Sequence, residues 1–169
     1  MNIARIVLAV CMVLLGAPAV AQGESDSAET ESRDYVFVFI TTGEATDLTP
    51  DEQREAFGGH FSNMKRMAVA GDLLIAGPFG PPLAEPDHRG LFVFDAETIE
   101  EGMAHAETDP TYQAGVFKLT PHLLTTDAPL TKLHDLDMKA IEELGENAPP
   151  GSNARSYVLA SAPFDEKLF

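Results

Sequence analysis

Tyr35–Ile40 (YVFVFI) is an unbroken aromatic and β-branched run, which predicts a strand. Thr49-Pro50-Asp51-Glu52 then reads as a helix start, with Thr49 as cap, Pro50 in the first turn and acids at the positive end of the dipole. Phe57, Phe61, Met64 and Ala68 follow at helical spacing, while Glu55, Ser62 and Arg66 point the other way. Gly71 is the expected stop. Asp72–Gly77 (DLLIAG) predicts a second strand, closed by the turn-rich PFGPPLAEPDHRG, and Leu91–Phe94 (LFVF) predicts a third. Asp95 is positioned to cap a second helix running to about Thr108, with Ile99, Met103 and Ala106 facing inward. Asp109-Pro110 breaks it, because proline disfavours helical geometry in the residue before it. Gly115–Leu124 (GVFKLTPHLL) predicts a fourth strand.

The order β-α-β-β-α-β predicts an α+β, ferredoxin-like fold in which helices cover one face of an antiparallel sheet. A solvated second face would show apolar and polar residues in alternation. YVFVFI, DLLIAG and LFVF are instead apolar on both faces. A second layer is therefore required, and the sheet of a second copy is the simplest candidate, giving a homodimer. The alternative cover is the chain's own C-terminal tail.

The flanks divide the remainder. Residues 1–21 combine Arg5, the apolar run IVLAVCMVLLG and the small-x-small end Ala19-Val20-Ala21, the layout of a cleavable bacterial signal peptide cut after Ala21. This predicts a periplasmic or secreted protein with no membrane association after cleavage. Residues 22–33 are a Ser- and acid-rich tether, expected to be disordered. The folded domain is expected at 34–127 and a C-terminal extension at 128–169. In that extension LTKLHDLDMKAIEELGEN has a weak helical pattern, NAPPGSN is a linker and SYVLASA a possible short strand.

Charge and cysteine count exclude several chemistries. Lys+Arg total 11 against Asp+Glu 27, a net charge of -16, so binding to phosphate backbones or anionic lipid is disfavoured. Cleavage removes one cation, Arg5, taking -16 to -17. Cys11 is the single cysteine and lies in the signal. The mature chain then has no disulfide, thiolate nucleophile or Cys-ligated metal.

One residue on the first helix is out of character: His60 lies on the apolar stripe between Phe57 and Met64. His60, Gly71, LLIAGPF, RGLFVF, an acidic helix and DPTYQAG, in this order over Tyr35–Thr126, resemble the YCII-related domain family. That resemblance implies a dimeric ferredoxin-like α+β barrel and a site pairing His60 with Asp109. It also implies a range of mostly unassigned activities, one of them dehydrochlorination of chlorinated hydroxyquinols. The sequence departs from the family pattern at Thr111, where an aromatic usually follows Asp-Pro; Tyr112 is placed to compensate.

An aspartate bonded to one ring nitrogen of His60 would fix the tautomer and leave the other nitrogen for proton transfer. No serine sits in a nucleophile-elbow context, so elimination, isomerisation or water activation fits better than acyl transfer. The expected catalytic residues are His60 and Asp109. Arg89, His88 and Tyr112 are candidate substrate-binding residues, with His122 another possible rim residue. No cofactor and no metal are expected. The alternative is a His60/His105/Asp109 metal site, since His105 and Asp109 are spaced i, i+4. At the level of function the readings are a small-molecule enzyme of lyase or isomerase type and a non-catalytic module that binds a small ligand or an envelope protein.

Overall fold

Alternation along the first strand decides the layering. The computed structural model describes residues 32–145 and residue 159. Strand β1 (Arg33–Thr42) sends Val36, Val38 and Ile40 to one face of the sheet and Tyr35 and Phe37 to the other, all buried. It is followed by α1 (Pro50–Ala70), β2 (Leu73–Pro78), β3 (His88–Phe94), α2 (Ile99–Ala106), a single turn α3 (Pro110–Gln113), β4 (Phe117–Thr126) and α4 (Leu130–Leu144). The four strands lie in the order β2-β3-β1-β4, and each neighbouring pair is antiparallel. This is the α+β ferredoxin-like arrangement expected from the sequence.

The starts of α1 and α2 are capping boxes. Thr49 accepts from the Glu52 amide at 3.3 Å while the Glu52 carboxylate accepts from the Thr49 amide at 2.8 Å. Thr98 and Glu101 repeat the device at α2. The cap of α2 is therefore Thr98, three residues beyond the expected Asp95, whose carboxylate is held by Arg33. Gly71 ends α1 at φ 84°, a left-handed conformation that glycine adopts without steric cost.

The helix-side core joins Val36, Val38 and Ile40 to Met67, Leu73, Phe92, Phe94, Ala96 and Ala106. Within α1 the buried positions are Ala56, His60 and Met67, so the inward stripe is rotated from the expected one and Phe61 is 64% exposed. Ile99 also faces outward, because α2 begins only there.

On the other face, Tyr35, Phe37, Leu74, Val93 and Leu124 are buried together with Leu130, and Ala128 and Leu159 pack against them. The C-terminal extension thus covers part of the face for which a second copy was expected, leaving Phe39, Ile75 and Leu91 half-buried. The anchor is α4, whose His134 Nε2 lies 3.0 Å from the Ala68 carbonyl at the end of α1. The expected signal peptide, the tether up to Glu31, the linker and, apart from Leu159, the possible strand of the extension fall outside the described residues. No helix among the described residues is long and apolar enough to cross a membrane.

Candidate active site

His60 reaches the helix–sheet interface because α1 turns its Ala56–His60–Met67 side inward. Asp109 arrives from the opposite direction, as the N-cap of α3. Proline at N1 and a carboxylate at the cap make a compact helix start at this point. The two side chains meet with His60 Nδ1 2.6 Å from Asp109 Oδ2. They are nearly closed to solvent, at 8% and 1% exposure.

The other carboxylate oxygen is also engaged. Asp109 Oδ1 accepts the Thr111 amide at 2.9 Å and, in a shorter contact, the Thr111 hydroxyl. Burial works to raise the Asp109 pKa. Hydrogen bonds from His60 and the Thr111 hydroxyl, the adjacent imidazole and the Thr111 amide outweigh it and hold the carboxyl below its ordinary value of 3.8. Four aromatic rings surround the imidazole: Phe57 at 6.3 Å, Phe61 at 5.2 Å, Phe92 at 6.0 Å and Phe117 at 5.7 Å between centroids. An imidazole whose Nδ1 is held by a carboxylate directs Nε2 the other way, which is the arrangement needed for a general acid or base.

The remaining candidates lie elsewhere. The ring of His88 packs on Phe39 at 4.9 Å and Phe79 at 5.8 Å, on the face of the sheet opposite His60. Arg89 is exposed, and its Nη1 donates to the carbonyls of Pro86 and His88, each at 3.0 Å, so the guanidinium serves its own turn. Neither is brought to the His60 site. His122 contacts Phe37 on that same second face, and burial lowers its pKa from 6.5. Tyr112 lies in α3, next to Thr111 in the chain and half-buried.

The alternative metal site is not assembled. His105 stacks on Phe94 at 5.9 Å, and its Nδ1 is 3.5 Å from Asp72 rather than paired with Asp109. Among the described residues no group of three or more His, Cys, Asp or Glu is arranged to hold a metal ion. The residue that sequence reasoning missed is Thr111, fully buried and bonded to Asp109 through both amide and hydroxyl. The available signal was the Asp109-Pro110 cap, which follows the same cap-proline grammar as Thr49-Pro50 and sets the residue at N2 beside the capping carboxylate.

Strand order and connections define a ferredoxin-like α+β domain carrying a buried histidine–aspartate pair. No protein-family description matches the chain, and no curated protein matches it. Among solved structures it is similar to 5-chloro-2-hydroxyhydroquinone dehydrochlorinase from Burkholderia phenoliruptrix AC1100, in complex with 2,5-dihydroxybenzoquinone. The identity is 18% and the TM-score 0.36, over 52% of this chain and 90% of that one.

Proposed function

We propose that the chain is a small-molecule enzyme of lyase or isomerase type in which His60 transfers a proton through Nε2 and Asp109 orients it. The observation that carries this reading is the 2.6 Å contact between His60 Nδ1 and a carboxylate kept ionised in a nearly closed site. In this reaction Nε2 takes a proton from a carbon next to an electron-withdrawing group. The electron pair released forms a double bond, and the proton is returned either to the departing group or to another carbon. Asp109 stabilises the imidazolium formed in between, the role an orienting aspartate plays in hydrolytic triads.

The test is turnover of a panel of carbonyl compounds bearing an acidic α-proton by the mature chain. His60→Ala should abolish any turnover found while the circular dichroism spectrum stays that of the parent. Turnover that survives His60→Ala would refute the assignment.

A second reading has its own support. Enclosure of the imidazole by Phe57, Phe61, Phe92 and Phe117 also suits a structural strut in a ligand-binding module. That reading requires His60→Ala and Asp109→Asn both to unfold the chain.

The proposed setting is export, supported by the order of the signal regions in residues 1–21; N-terminal sequencing of the exported protein should begin at Gln22. Besides the small molecule, the proposed partner is a second copy at the half-buried Phe39, Ile75 and Leu91 end of the sheet. Light scattering that gives the mass of a single chain would remove the second copy and leave the site untouched, since His60, Asp109 and Thr111 all come from one chain.

A further inference from the structure

Asp109 divides its two oxygens between two partners, Oδ2 for His60 and Oδ1 for Thr111. The amide of Thr111 reaches Oδ1 by virtue of the N-cap geometry, and any non-proline residue at that position would supply it. The hydroxyl is specific to the side chain. It holds a single proton, and that proton is committed to Asp109 Oδ1. The hydroxyl oxygen lies 3.5 Å from His60 Nδ1 and has only lone pairs left to present to it. Nδ1 therefore faces two acceptors, the Asp109 carboxylate and the Thr111 oxygen, and carries the ring proton in the neutral imidazole. Nε2 is left with a bare lone pair. Valine has the shape of threonine, but it would put a methyl group against Oδ1 and offer His60 no acceptor.

We propose that Thr111 is a positioning residue for His60: its hydroxyl clamps Asp109 Oδ1 so that Oδ2 stays on the imidazole and the ring proton stays on Nδ1. As a contribution to proton transfer this rests on the reading of His60 as acid/base; as a statement about the resting imidazole it stands independently of any substrate.

The experiment is 15N NMR of the histidine rings in the mature chain, at a pH where the His60 ring is neutral. The parent and Thr111→Ser should show a protonated Nδ1 and an unprotonated Nε2, with a sharp Nδ1 proton signal. Thr111→Val should lose that signal and move the two ring nitrogens toward a common, tautomer-averaged shift. Thr111→Ala replaces the valine variant if valine does not fold. Ring shifts unchanged in the valine or alanine variant would overturn the proposal. So would failure of both to fold while the serine variant does, because the hydroxyl would then be needed by the fold rather than by the ring. Once a substrate is known, Thr111→Val should lower kcat with KM unchanged, and serine should restore it. Altered ring shifts with unaltered turnover would sink the acid/base reading of His60 while leaving the positioning of the ring intact.

Discussion

Gly59 precedes His60 in α1, and Pro110 follows Asp109 at the start of α3, so the Gly59–Pro110 contact sets the spacing of the pair. A Cβ on Gly59 would stand 2.7 Å from Pro110 Cγ and 3.0 Å from its Cβ. Carbon atoms pack at about 3.5–4.0 Å. The proline ring can repucker to move Cγ, but its Cβ moves only with the backbone, so Gly59→Ala must push α3 away by a few tenths of an ångström. The His60–Asp109 contact is 2.6 Å, and that displacement stretches it toward the roughly 3.2 Å limit of a sound N–H···O bond. Replacing a helical glycine by alanine gains about 1 kcal/mol. Overpacking costs about 1–3 kcal/mol, and stretching a hydrogen bond to a charged group forfeits part of the about 1.5–3 kcal/mol that its complete loss would cost. The expected net loss is about 1–3.5 kcal/mol. Gly58 is the control: a Cβ there meets nothing within 4 Å, so Gly58→Ala should stabilise the chain by up to about 1 kcal/mol. Urea unfolding of the mature chain reads both changes, and the His60 ring signals report whether the pair has parted. If Gly59→Ala proves as stable as Gly58→Ala with His60 signals unmoved, α1 and α3 are not in the close contact from which this reasoning starts.

Asp109 has a folded-state pKa below its ordinary 3.8, so its contribution to stability is present above about pH 4 and is lost as pH falls through the lower folded value. Acid unfolding of Asp109→Asn should accordingly lack the steepest part of the parent's decline. His122 is shifted the same way by burial alone, but as a base it charges on protonation; stability should fall as pH drops below 6.5, and His122→Gln should flatten that slope. Leu130 is 7% exposed against the second sheet face, so Leu130→Ala should cost about 2–5 kcal/mol in urea unfolding. A cost under about 0.5 kcal/mol, the size of a surface substitution, would mean that the extension does not pack there.

Most of the fold was legible because its strands and helix starts are encoded locally. YVFVFI, LLIAG and LFVF are strands through their own residue types, and Thr49-Pro50-Asp51-Glu52 contains every member of a capping box. The errors arise where two local signals compete. Asp95 and Thr98 are both acceptable caps, and Thr98 prevails because Glu101 completes its box while Arg33, far away in sequence, holds Asp95. Helical periodicity also left the rotation of α1 open by one residue. The Phe57–Phe61–Met64 stripe is the more apolar, yet Ala56 and Met67 pack inward alongside His60. Cover for the second sheet face is a tertiary matter that patterning can demand without saying who supplies it; Leu130 and Leu159 supply part of it from within the chain.

Of the three side chains that meet in the buried cluster, two were named from the sequence and the third was not, for a physical reason. A histidine on an apolar stripe is conspicuous because burying an unpaired imidazole is costly, so His60 announces that a partner exists. The pattern of residues marks Asp109-Pro110 only as a break between elements, and Asp109 was named as the partner through the resemblance to the YCII-related family. Thr111 has neither signal, since a threonine two residues after a cap is unremarkable as sequence, and its importance comes from Asp109 having a second oxygen to satisfy once it is buried. Counting acceptors rather than residues would have found it: a buried carboxylate with one histidine partner still lacks donors for its other oxygen, and the nearest are the amide and hydroxyl of the residue at N2. The same count explains why Arg89 and His88 are not at the site. Both already have partners in their own turn or on the opposite face, so neither has an unmet requirement that would draw it to His60.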